Sequence, residues 1–172
     1  MVAVEASGHN SAIARLNAEL NSAPQLEVIH AAAARRYGTL TVNRGLNARV
    51  DDGSGAWGRT EVAAASVDEL AARYGAPDVL FVDVEGFEVE VLAGAVQTLG
   101  TFRPDVFVEV RQGSGLELFG GSAAKVLSFF PSSIYRLFLR DGEIARFALL
   151  KPGGEIPGGR FFLVSICAEN RP

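Results

Sequence analysis

Four carboxylates stand where apolar runs stop. Val79-Leu80-Phe81-Val82 leads into Asp83-Val84-Glu85-Gly86, Val106-Phe107-Val108 ends at Glu109, and Val2-Ala3-Val4 ends at Glu5. All-apolar runs of this length suit strands buried on both faces, as in a parallel sheet covered by helices. Polar residues that appear where such strands stop collect at the carboxyl edge of the sheet, where open α/β folds bind ligands. A fixed carboxylate there can accept hydrogen bonds from both hydroxyls of a ribose, which is the role Glu5 could take; the plainer reading is a surface acid beside a helix. Asp83 and Glu109 should be neighbours on that edge. Two such acids can divide acid–base work, one ionised and one with a raised pKa, and either could take the proton of an attacking hydroxyl. Asp83 is the stronger of them, because a buried strand tip is a costly place to desolvate a carboxylate without a partner. Glu85 opens a helix, whose dipole favours negative charge, so it serves either the site or the helix cap. Two carboxylates without further oxygen ligands make a poor metal site, and no metal is expected.

The elements that must position these acids can be read around them. A helix is expected from about Asn10 to Leu20, with Ile13, Leu16 and Leu20 on one face, followed by a strand over Leu26 to His30. His30 then falls at a strand end, either structural or near a bound purine ring. Gly38 to Ala65 alternates and breaks like an irregular hairpin excursion, whose Gly/Asp-rich tip from Asp51 to Gly58 holds Trp57 and could act as a lid or a simple loop. Ser66-Val67-Asp68-Glu69 is a capping box, and that helix should stop at Gly75. After Gly86 a helix should carry Phe87, Val91, Leu92, Ala95, Val96 and Leu99 as one apolar stripe, with Glu88 and Gln97 off it. A helix over Ser122 to Phe130 precedes an antiparallel finish of Ile134 to Leu139, a turn at Asp141-Gly142, Ile144 to Leu150, and Phe161 to Cys167. Gln112-Gly113-Ser114-Gly115 lacks the last glycine of a dinucleotide fingerprint and reads as a plain loop.

Strand–helix alternation with an antiparallel end predicts a single α/β domain over residues 1–172, built on a doubly wound mixed sheet. At 172 residues, 48% hydrophobic and 21% charged, the chain can bury a real core. A net charge of −4 and scattered basic residues argue against a nucleic-acid partner. No apolar run reaches the ~20 residues that span a bilayer, and Glu5 follows the N-terminus too closely for a signal peptide, so no membrane contact and a cytoplasmic location are expected. Cys167, the single cysteine, has no metal-ligand spacing and should be a buried structural thiol.

The segment from Val79 to Ala95, with Asp83, Glu85, Gly86 and Glu88 in an Asp-x-Glu-Gly-x-Glu pattern, closely resembles the strand–acid–helix signature of FkbM-type methyltransferases. Val4-Glu5-Ala6 resembles the second-strand acid of that family. The resemblance runs from residue 1 to about Leu150. It implies a class I methyltransferase-like, Rossmann-type fold, S-adenosylmethionine as cofactor, and O-methylation of a hydroxyl on a sugar or natural product. It assigns cofactor binding to Glu5, His30, Asp83 and Glu85, and catalysis to Asp83 and Glu109. The family's first strand and glycine-rich cofactor loop would precede residue 1. The expectation is therefore an N-terminally incomplete domain with two strand edges facing a gap: either a fragment of a longer protein, or one whose remaining strands close up or borrow a strand from a second copy as a homodimer. The alternative is a non-catalytic remnant or interaction domain that keeps the fold without competent cofactor binding.

Overall fold

Ser7 starts the first helix, its Oγ accepting the Asn10 N–H at 3.2 Å, so α1 (Gly8–Leu20) begins two residues before Asn10. It links β1 (Val2–Glu5) to β2 (Glu27–His30), which pair in parallel with Glu5 opposite His30. These come from a computed structural model that describes residues 1–44, 48–51, 53, 58–142 and 146–168. The tip of the excursion, including Trp57, and the residues around Ile144 lie outside the described residues.

The excursion forms a sheet of its own. β4 (Gly38–Asn43) and β5 (Arg59–Ala65) are antiparallel, burying Val42 and Val62, and β3 (Ala32–Ala33) adds to β5 in parallel. The capping box at α2 (Val67–Tyr74) is complete: Ser66 Oγ accepts the Glu69 N–H while Glu69 Oε2 accepts the Ser66 N–H at 2.9 Å.

The largest sheet has five strands. β6 (Val79–Val82) pairs in parallel with β7 (Asp105–Val110), and β10 (Phe161–Cys167) runs antiparallel between β7 and β8 (Tyr135–Asp141), with the short β9 (Ala148–Leu149) outside. One face carries Val82, Val106, Val108, Phe161 and Leu163 into a core completed by Phe87, Val91, Leu92 and Leu99, with Val126 from α5 (Ala123–Ser128). Cys167 is buried there as expected. Among the described residues no helix is long and apolar enough to cross a membrane.

Three expectations are corrected. Among the described residues the strands form three sheets rather than one, since neither β1–β2 nor β3–β5–β4 shares a ladder with the five-stranded sheet. Among the described residues β1 and β6 each have one edge with no strand paired to it. The face of the large sheet away from the core leaves Phe81 71% and Val79 56% exposed, and the α1 stripe of Ile13, Leu16 and Leu20 is exposed as well. Finally, the single helix expected after Gly86 is two, α3 (Glu88–Ala93) and α4 (Val96–Thr101), broken at Gly94, and Val96 faces outward.

Tertiary contacts explain the break. The Gly94 carbonyl accepts the Asp68 N–H at 2.8 Å, and Asp68 in turn accepts the N–H groups of Gln97 and Thr98 at 3.1 and 2.8 Å, capping α4 from another helix. Gly94 also abuts the backbone of Ala34 and Arg35, where an added Cβ would collide with the Ala34 carbonyl oxygen. Its φ of −86° needs no glycine, so the constraint is space alone. Gly94→Ala should therefore destabilise the fold by the ~1–3 kcal/mol of overpacking. Chemical denaturation checks this, with Gly100→Ala, which meets nothing within 4 Å, as the control.

Candidate active site

The carboxyl ends of β1 and β6 border one cavity of about 210 Å³. Val4, Glu5 and Ala6 form one wall, Asp83, Val84 and Glu85 the other, with Ala31 to Ala33, Val42, Arg49 and Val50 between them. Parallel pairing dictates the convergence within each sheet: β1 and β2 end together, and β6 ends with Val82 opposite Val108, near the end of β7. Asp83 and Glu109 follow those partners on the same edge.

The acids differ in how they are held. Glu5 is half-buried, and its Oε1 accepts the Ser7 N–H at 2.7 Å, which fixes the carboxylate at the mouth of α1. Asp83 is exposed, not buried as its strand suggested, because β6 is an open edge. The desolvation argument made for it from the sequence therefore does not hold; its place on the cavity wall does. Glu85 has a left-handed φ of +55° and accepts from Arg111 Nη2 at 2.7 Å. It does not cap α3, whose start has no side-chain cap.

Glu109 is drawn away from the cavity. Phe107, Glu109 and Arg111 alternate onto one side of β7, so Glu109 lies beside Arg111, with Oε1 2.9 Å from Arg111 Nε and 3.4 Å from Arg160 Nε. It is buried and does not line the cavity. His30 also stands off the lining. Its ring is exposed, with Nε2 3.2 Å from the Ala6 carbonyl, and it packs on Gly8, where a Cβ would come within 3.2 Å of the ring. The cavity thus joins Glu5, Asp83 and Glu85, and neither Glu109 nor His30 lines it. Among the described residues no group of three or more His, Cys, Asp or Glu could hold a metal ion.

Glu88 is the residue that the apolar stripe misplaced. Instead of lying off the buried side it is fully enclosed, 0% exposed, with Oε1 accepting the Gly86 N–H at 2.9 Å. Burial pushes its carboxyl up to about 7, against the opposing pull of the backbone hydrogen bonds and Arg111, while Asp83 adds to the rise. A signal existed: an acid two residues after a turn glycine at a helix start is placed to bind back to the turn, as in a capping box.

The fold and site define a mixed α/β domain with carboxylates gathered at the ends of parallel strands. The model of the methyltransferase FkbM domain matches residues 1–137, and the chain belongs to that family. A crystal structure of methyltransferase FkbM from Methylobacillus flagellatus KT is similar in fold, with a TM-score of 0.57 at 15% identity, covering 95% of this chain. The present chain spans 36% of that chain's length. No curated protein matches the sequence.

The raised Glu88 carboxyl makes stability depend on pH. Its folded value of about 7 lies above the ordinary 4.5, so the native state binds the proton more tightly. The resulting stabilisation is whole below about pH 4.5 and is lost as pH rises to about 7, by roughly 3 kcal/mol at most. Glu88→Gln, which cannot ionise, should remove this slope. Subtracting its unfolding free energy from that of the native chain between pH 4.5 and 8 should leave a curve falling with pH; a flat difference would refute the assignment.

Proposed function

We propose that this domain serves S-adenosylmethionine-dependent methyl transfer to a hydroxyl of a small molecule such as a sugar or natural product. The observation that carries this reading is the shared cavity, lined by acids from the ends of two parallel strand pairs. We read the two pairs as flanks of one doubly wound, Rossmann-type arrangement, with its ligand at the carboxyl edge.

The donor set fits the nucleoside and sulfonium parts of the cofactor. Glu5 is a fixed acceptor suited to a ribose diol, and Ala31, Ala32, Val42 and Val50 offer an apolar surface for a purine. Glu5, Asp83 and Glu85 line the cavity with Arg49, and acids focused in a cleft favour a cationic ligand. When bound, the cofactor supplies a methyl group on a positively charged sulfur. Asp83, exposed to the cavity, can accept the proton of an incoming hydroxyl. Glu85 borders the same wall, and Glu109 acts at a remove through the arginine it shares with Glu85. His30 stands beside Ala31 and can border the purine end.

Two measurements test the proposal. Calorimetric titration of S-adenosylhomocysteine should show binding in the millimolar range, about −4 kcal/mol, weakened at least tenfold in Glu5→Gln; no binding would favour a remnant that keeps the fold without the cofactor. Asp83 has no hydrogen bond or ion pair to a described residue, so Asp83→Asn should leave the melting temperature unchanged. It should lower methyl transfer by the 10²–10⁴-fold typical of a lost general base. A lower melting temperature with normal turnover of the folded fraction would make Asp83 structural.

A further inference from the structure

Between Asp83 and α3 the backbone passes through two consecutive left-handed residues, Glu85 at φ +55° and Gly86 at φ +108°. Glycine adopts this freely, but a glutamate does so only when its surroundings hold it there. Two of the restraints lie outside the turn. Arg111 grips the Glu85 carboxylate at 2.7 Å. Gly115 packs so closely that a Cβ on Gly86 would lie 2.6 Å from its carbonyl carbon.

The third restraint comes from within. Glu88 Oε1 accepts the Gly86 N–H at 2.9 Å, while Oε2 has no hydrogen-bond partner among the described residues. An enclosed carboxyl with one satisfied oxygen weakens a core that an apolar side chain of similar size would fill without that cost. Its contribution therefore lies in the geometry it enforces.

We propose that Glu88 is a positioning residue whose buried carboxyl locks the Glu85–Gly86 turn and so aims Asp83 and Glu85 at the cavity. This rests on the reading of those two acids as site residues. The side chain touches no ligand and acts only through the turn. Because the turn connects the end of β6 to the start of α3, releasing Gly86 lets the preceding residues relax toward ordinary right-handed backbone, and both acids move with them.

The test compares Glu88→Gln, which keeps an acceptor oxygen, with Glu88→Leu, which fills the space without one, and Glu88→Asp, which keeps charge but loses reach. The readouts are amide hydrogen exchange at Gly86, backbone amide chemical shifts of Asp83 to Glu85, melting temperature, and S-adenosylhomocysteine affinity of the folded fraction. Gln should retain Gly86 protection and affinity within about threefold. Leu should match or exceed the native melting temperature, yet lose Gly86 protection at least tenfold, shift the Asp83–Glu85 signals, and weaken the ligand about tenfold or more. Should Leu fail to fold, Asp is expected to show the same loss of protection and shift. Unchanged protection and signals in Leu or Asp would overturn the proposal, as would altered signals with unaltered affinity. If the native chain binds no S-adenosylhomocysteine, the cofactor reading fails by itself, and the Asp83–Glu85 signals still decide whether Glu88 sets the turn.

Discussion

Arg111 reaches back across the end of β7 and binds two carboxylates at once, Glu85 from the neighbouring strand's exit and Glu109 from its own. All three side chains are largely shielded, so the contacts are stronger than those of an ordinary surface pair, and losing the shared cation would leave two neighbouring acids without the charge between them. The direction of the chain after β6 depends on this grip. It draws Glu85 away from a helix-capping role and leaves Asp83 as the acid facing open space. The close approach of Gly86 to Gly115 then fixes the loop after β7 against the turn after β6.

The same arrangement accounts for the unequal fates of the acids. Side chains alternate along a strand, so with Val106, Val108 and Val110 turned into the core Glu109 shares the opposite face with Arg111, two residues on. Asp83 lies one residue beyond a strand with an open edge, which leaves it accessible. Glu5 is pinned by the turn into α1. Position along the strand brought the acids to one end of the sheets, but the partners at that end decided which of them border the cavity.

Much of this was legible in the sequence. All-apolar runs such as Val79 to Val82 marked the parallel strands, and the Ser66–Glu69 box marked a helix start, because both depend on local periodicity and capping. The break at Gly94 was not legible: it comes from the backbone of Ala34 and Arg35, some 60 residues earlier in the chain. Glu88 was misread because helical periodicity assigns charge to solvent, and that period outweighed the weaker local signal of an acid two residues after a turn glycine. That Glu109 and Arg111 share a face follows from their spacing, but the second cation, Arg160, comes from some 50 residues further along the chain and was not legible. The division into three sheets was likewise a property of edges, which no run of residues announces.

Among the described residues the sheet of β1 and β2 has two strands, and the helix between them keeps its apolar stripe in solvent. Two-strand units gain little independent stability, and parts of a fold with few buried contacts open well before the whole unfolds. The Glu5 wall should therefore belong to a less cooperative unit than the Asp83 wall, which is anchored in the main core. A ligand spanning the two must meet the molecule while both walls are formed, so its apparent affinity is divided by the fraction of time that holds. Any contact that ties β1 and β2 to the larger sheet would tighten binding without touching the ligand.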